Sequence, residues 1–297
     1  MRGEGWGEGL ILFAVFLALF LLLWAIVYAL LPLTQRVSTL GSGLIDSLSV
    51  RYQRVGGLTN RFKAYLPIVV ILVAGGLLMA WAGDNFIALA EMVHSKSPRL
   101  QQLDTSVHAW AISRRSPGAT SFFALMSNIG GPVGLAVLVT AVIIALLILR
   151  KFNWVLYLFV TVGGAALLDM ELKRYFARAR PDLAEMLRRA SGYSFPSGHA
   201  MGSTVTFLAL SYLAFRTATR WRAKAAVLAF GITLILAVSL SRVYLGVHWI
   251  SDVVAGISGG TLWVVISTMA YETVRRVRLL RSLQREARSS SFDARGA

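Results

Sequence analysis

Apolar runs near the ~20 residues needed to cross a bilayer recur along this chain, and they constrain its fold more than any other feature. Seven are expected as membrane spans: residues 9–32, 66–83, 132–149, 153–170, 201–215, 225–241 and 250–271. Inside a bilayer the backbone polar groups have to be satisfied within the protein, so such runs specify an all-α polytopic membrane helix bundle. Charged residues make up 15% of the 297 positions, against about 25% in soluble domains. The first run follows MRGEGWGEG, which has two Glu against one Arg. A secretory signal has a basic start and a shorter apolar stretch, so this run is expected as a retained span.

Seven spans put the termini on opposite sides of the membrane. With the C-terminus inside, segments 33–65, Arg150-Lys151, 216–224 and 272–297 hold 18 of the 30 Lys and Arg and only four acids. The positive-inside rule then predicts an outer N-terminus and a cytoplasmic C-terminus. The net charge of +16 would suggest nucleic acid in a soluble protein. Here the basic tail RRVRLLRSLQREAR reads as a topology determinant beside anionic lipid, and no nucleic-acid partner is expected. The Gly/Ser-rich stretch 33–65 is expected as a cytoplasmic linker, and residues 104–115 as a short helix lying in the interface. The expected division is 1–64 for the first span and its loop, 65–272 for a six-span core, and 273–297 for the tail.

Charge inside or beside a span is expensive and marks candidate function. Three clusters stand out, all expected on the outer face. Lys173 and Arg180 are seven apart, so a helix ended by Pro181 would aim both at one point. Two fixed cations suit a phosphate, and the alternative is snorkelling to headgroups. Phe195-Pro-Ser-Gly-His199 opens the fifth span as a helix N-terminus, where Ser197 can cap and Gly198 allows close backbone approach. Free N–H groups there attract an anion; a plain cap with an interfacial His is the alternative. His248 and Asp252 are i and i+4, a carboxylate orienting an imidazole, which serves either a nucleophile or a structural hydrogen bond. Arg242 lies off that face, and Gly246 is expected to turn the chain and bring it round. The chain has no Cys, and no His/carboxylate set with metal-ligand spacing accompanies these clusters,. The arrangement describes phosphoryl transfer without a metal or other cofactor.

K-x6-R-P, P-S-G-H and S-R-x5-H-x3-D, in this order, resemble the three-part motif of the type 2 phosphatidic acid phosphatase superfamily. Lys173, Arg180 and Pro181 match the first part, Pro196 to His199 the second, and Ser241, Arg242, His248 and Asp252 the third. The resemblance covers roughly residues 66–271. It implies that His248 is the nucleophile of a phosphohistidine intermediate, oriented by Asp252. It implies that Lys173, Arg180 and Arg242 hold the phosphoryl oxygens with Ser197 and the Gly198 and His199 N–H groups. His199 is then the acid that protonates the leaving oxygen. The implied activity is a lipid phosphatase of the inner membrane with its site facing outward. Candidate substrates are phosphatidic acid, phosphatidylglycerophosphate and undecaprenyl pyrophosphate; a lipid phosphotransferase and an inactive lipid-binding or transport protein are the rivals. Oligomeric state is not legible in the sequence. Outside the motifs, Asp104 and His108 read as a helix cap and an interfacial polar residue. Tyr244 and Trp249 read as interface aromatics, Asp169 and Glu171 either as plain flankers of the Lys173 segment or as residues that orient its cations, and Arg188 and Arg189 as residues that meet an incoming headgroup.

Overall fold

The computed structural model describes residues 4–51 and 56–296, and the side chains of 7–30, 72–182, 184–279 and 281–282. Among the described residues the long elements are all helices. They are α1 (Glu4–Arg51), α2 (Gly56–His94), α3 (Pro98–Ser113), α4 (Pro117–Ile129) and α5 (Pro132–Ile148), then α6 (Phe152–Leu158) and α7 (Gly164–Phe176), and finally α8 (Gly198–Thr217), α9 (Trp221–Tyr244) and α10 (Ile250–Gly296). Proline opens α3, α4 and α5 in the first turn, where its missing N–H would have had no helical partner,.

Each of the seven expected spans falls on a helix. Among the described residues five helical segments are long and apolar enough to cross a membrane on their own, and α4 with α5 qualifies as one span bent by 47°. α8 is outside that set for a physical reason. Ser203, Thr204, Thr206 and Ser211 lie along it, all buried, because α5, α7, α9 and α10 surround it. A helix shielded from lipid by its neighbours need not be apolar all round. The span expected at 153–170 is α6 and α7 joined through a π-helical turn, Phe159–Gly163. In that turn the Thr161 carbonyl accepts from the Trp263 indole at 2.7 Å,.

One sequence expectation changes. The 33–65 stretch is largely helical, since α1 runs to Arg51 and α2 starts at Gly56. Pro32 lies inside α1, and the helix continues past it to Arg51. The side chains there, and those of the tail beyond Ser282, lie outside the described residues. The tail itself continues α10. Helix α3 exposes Leu103 and Trp110 on one face and buries Leu100, Asp104, His108 and Ala111 on the other. The first helix also packs on the core. Its Leu12 and Phe16 meet Ala119, Phe123, Tyr244, Leu245 and Val247, while Trp24 donates to the Arg222 carbonyl at the other end.

Close approach of α8 and α10 sets the site's frame. A Cβ on Gly256 would stand 2.7 Å from the Ser197 carbonyl, and one on Gly260 3.0 Å from that of Met201. This small-xxx-small spacing lets two backbones touch. It brings the Ser197 N–H within 3.0 Å of the Asp252 carbonyl, joining the second motif to the third.

Candidate active site

All three motifs converge at one end of the bundle, around a cavity of about 680 Å³. Lys173, Arg180, Gly198, His199, Arg242 and His248 line it, together with Asp169 and Arg189. Below them its walls turn apolar, with Leu135, Ala136 and Val139 of α5 facing Val162, Ala165 and Ala166. Ser197 and Asp252 are fully buried behind this lining.

Lys173 and Arg180 reach the cavity by a different route from the one expected. α7 ends at Phe176, because Ala177 adopts a left-handed conformation (φ 43°) and caps back onto the Lys173 carbonyl. Arg180 therefore arrives on irregular chain beyond the helix, and Pro181 plays no part in ending it. Its guanidinium donates to Gly192 O (3.0 Å), Ser191 O (3.0 Å), Val247 O (2.8 Å) and His248 Nε2 (3.0 Å). A guanidinium has donors only, so Nε2 of His248 is the acceptor there and the ring proton sits on Nδ1. That proton faces Asp252, whose Oδ2 lies 3.4 Å from Nδ1. His248 is thus neutral, with its lone pair toward the cavity. Burial, aided by Arg180 and Arg242 and opposed by Asp252, holds its pKa down at about 4.

Asp252 lies in the first turn of α10, and His248 precedes that helix rather than sharing a face of it. Gly246, at φ 75°, makes the expected turn. Asp252 Oδ2 also accepts from the Trp249 N–H at 3.0 Å, and the Trp249 indole donates to Ala179 O. Arg242 is 5% exposed; it donates to Ser127 Oγ, and its Nε has no partner. Ser197 precedes α8 but makes no side-chain cap, and its buried Oγ is likewise unpartnered.

Asp169 contacts Lys173 through both oxygens, the orienting one of its two sequence readings. A Cβ on Gly198 would stand 2.8 Å from Lys173 Nζ and 2.9 Å from Asp169 Oδ2. Both are ends of flexible side chains, so a methyl group there displaces the cation without unfolding the helix. Gly198→Ala is therefore expected to raise KM about tenfold, the scale of one charge-assisted contact, while the melting temperature stays within about 2 °C. Kinetics beside a thermal melt in detergent check this, and an unchanged KM would separate Lys173 from phosphate binding.

Other readings outside the motifs also change. Asp104 is 2% exposed and accepts from Arg178 Nη2 at 2.6 Å and from Ser251 Oγ at 2.7 Å. His108 pairs with Glu185 at 2.9 Å. Tyr244 is buried, and its hydroxyl accepts from the Ser116 N–H at the start of α4. Arg188 donates to Asn128 Oδ1, whereas Arg189 lines the cavity. Asp104 had a sequence signal, a carboxylate within an otherwise amphipathic stretch. Its partner Arg178 was hidden in a run of cations. Among the described residues no group of three or more His, Cys, Asp or Glu stands where it could hold a metal ion.

A model of the PAP2 superfamily matches residues 154–276. Phosphatidylglycerophosphatase B of Bacillus subtilis (strain 168) is 29% identical over 198 residues, 65% of this chain and 94% of that protein. Lipid A 1-phosphatase of Rhizobium etli is 32% identical over 131 residues, 40% of this chain and 51% of that protein. Among solved structures, the transmembrane PAP2-type phosphatidylglycerolphosphate phosphatase from Bacillus subtilis superposes with a TM-score of 0.60. It is 27% identical and covers 66% of this chain and 96% of its own.

Proposed function

The chain belongs to the PAP2 superfamily through residues 154–276, and from that premise we propose that this membrane phosphatase hydrolyses a lipid phosphomonoester or pyrophosphate through a phosphohistidine on His248. The observation that carries the reading is the neutral imidazole held between Asp252 and Arg180, its lone pair facing a cavity lined by four cations.

In the first step Nε2 of His248 attacks phosphorus and forms an N–P bond. The bond to the leaving oxygen breaks, and His199 supplies the proton that this oxygen takes. Asp252 balances the charge that appears on the imidazole. In the second step His199 takes a proton from water, water attacks phosphorus, and the N–P bond breaks to release phosphate. Phosphoryl transfer asks chiefly for positioning and charge stabilisation. Lys173, Arg180 and Arg242 supply the charge, joined by the Gly198 and His199 N–H groups, which have no partner inside the helix. Arg180 gives up His248 Nε2 for a phosphoryl oxygen when substrate binds. The apolar walls below the cations suit a lipid chain entering from the side.

The catalytic unit in this reading is the six-span core, residues 65–272. The membrane is a bacterial inner membrane, with the N-terminus and the site outside and the basic C-terminus in the cytoplasm, as the positive-inside rule favours. Phosphatidic acid, phosphatidylglycerophosphate and undecaprenyl pyrophosphate are the candidate substrates, and the names of the relatives favour phosphatidylglycerophosphate among them. The test is phosphate release from these three lipids by detergent-purified protein, with and without EDTA. Release that survives EDTA is the expected result, and the lipid with the highest kcat/KM is the substrate. Loss of activity in EDTA would remove the metal-free mechanism, and phosphate passed only to an acceptor lipid would make the protein a transferase.

A further inference from the structure

The mechanism above leaves one group of buried charges unused. Arg178 belongs to the same cationic run as Lys173 and Arg180, yet it turns away from the cavity. One arm of its fork, Nη1, donates to Asp252 Oδ1 at 2.6 Å and to Ser251 Oγ at 2.7 Å. The other, Nη2, donates to Asp104 Oδ2 at 2.6 Å. Asp104 comes from α3, far from the three motifs in sequence, and also accepts from Ser251 twice, from its N–H at 3.1 Å and from its hydroxyl at 2.7 Å. Both carboxylates are buried, and the Arg178 side chain is 14% exposed. A guanidinium between two buried carboxylates leaves the trio one net negative charge, with Asp252 sharing its oxygens between Arg178 and His248.

The geometry points to a relay, His248–Asp252–Arg178–Asp104, in which Arg178 and Asp104 are positioning residues. They hold the Asp252 carboxylate against the nucleophile and set how much of its charge reaches the imidazole. The inference rests on the phosphohistidine reading and deepens it. Without Asp104, the Arg178 charge falls on Asp252 alone and weakens its support of the phosphoimidazolium. Without Arg178, two carboxylates act on the ring and hold its proton more tightly. The remaining charged and titratable groups around the cavity that His248 lines are Lys173, Arg180, Arg189 and Arg242, with Asp169 and His199; the variants leave all of them in place.

The experiment measures kcat and KM of the full chain in detergent between pH 4 and 8, using phosphatidic acid. Arg178→Gln is expected to lower kcat about ten- to a hundredfold, the range seen for partners that orient a functional histidine. Its KM should stay within about twofold, because the phosphate-holding cations are untouched. The acid limb of its pH profile should rise by about one unit, as expected for loss of a nearby compensating charge. Asp104→Asn should also lower kcat, but with no rise of that limb. A purely structural pair would reduce the folded fraction and leave the limb of the surviving enzyme unmoved. Should Arg178→Gln fail to fold, Ser251→Ala removes one strap without changing any charge, and a severalfold lower kcat at unchanged limb is then expected. A folded Arg178→Gln, or in its place Ser251→Ala, with wild-type kcat and pH profile overturns the relay. If His248→Ala retained wild-type activity, the phosphohistidine reading itself would fall, so the two failures are distinguishable.

Discussion

His248→Ala is expected to cut phosphate release by about 10⁴-fold or more, the scale on which removal of a nucleophile acts. The loss should come without unfolding. Asp252, the buried group most exposed to the change, keeps both the Arg178 guanidinium and the Trp249 N–H as donors. Arg180 loses His248 Nε2 but retains the carbonyls of Ser191, Gly192 and Val247. No buried charge is therefore left alone, which is the circumstance that makes such deletions destabilising. The cations and the first turn of α8 are also intact, so the variant should still bind lipid phosphate. Rapid quenching with lipid labelled on its phosphate provides the second readout. Wild type should trap an acid-labile phosphoenzyme, and the variant none. Activity within about tenfold of wild type in a folded variant would exclude His248 as nucleophile.

Spans and motifs were legible because each depends on local spacing. An apolar run of bilayer length has few alternatives to a helix, and the P-S-G-H and S-R-x5-H-x3-D stretches carry their partners within a few residues. What escaped depends on distance in three dimensions. The contact between Asp104 and Arg178 joins residues 74 positions apart, so the position of Asp104 in its amphipathic stretch does not name its partner. Tyr244 looks like an interface aromatic until α4 is packed against it, when its hydroxyl becomes the acceptor for the Ser116 N–H. The route of Arg180 was misread because a seven-residue spacing suits a continuous helix, whereas Ala177 in the left-handed region ends α7 first. That conformation favours glycine or asparagine, so alanine gave no warning. α8 was expected as a span even though its Ser and Thr residues make it too polar to face lipid. Its burial explains why that polarity is tolerated.

The second large effect concerns shape rather than charge. Arg180→Lys keeps the cation but is expected to lower kcat/KM about 10²- to 10³-fold, as loss of a preorganised donor at a developing charge does. One guanidinium here spans three pieces of chain. Its Nε and Nη2 hold the Gly192 and Ser191 carbonyls of the segment over the site, and its Nη1 holds Val247 O and His248 Nε2. A planar fork makes these contacts at once, whereas an ammonium is a point charge on a flexible stem. Lysine could reach Val247 or the Ser191–Gly192 backbone, but not both while also meeting a phosphoryl oxygen. The 191–192 segment would then lose its tie to the catalytic loop, and the His248 ring would lose the donor that fixes its lone pair. Both kcat and KM should suffer, which separates this variant from Gly198→Ala, where the change falls on KM. Steady-state kinetics on the preferred lipid, with a thermal melt to verify folding, give the comparison. If Arg180→Lys stayed within about fivefold of wild type, charge alone would suffice at this position and the fork would have no catalytic role.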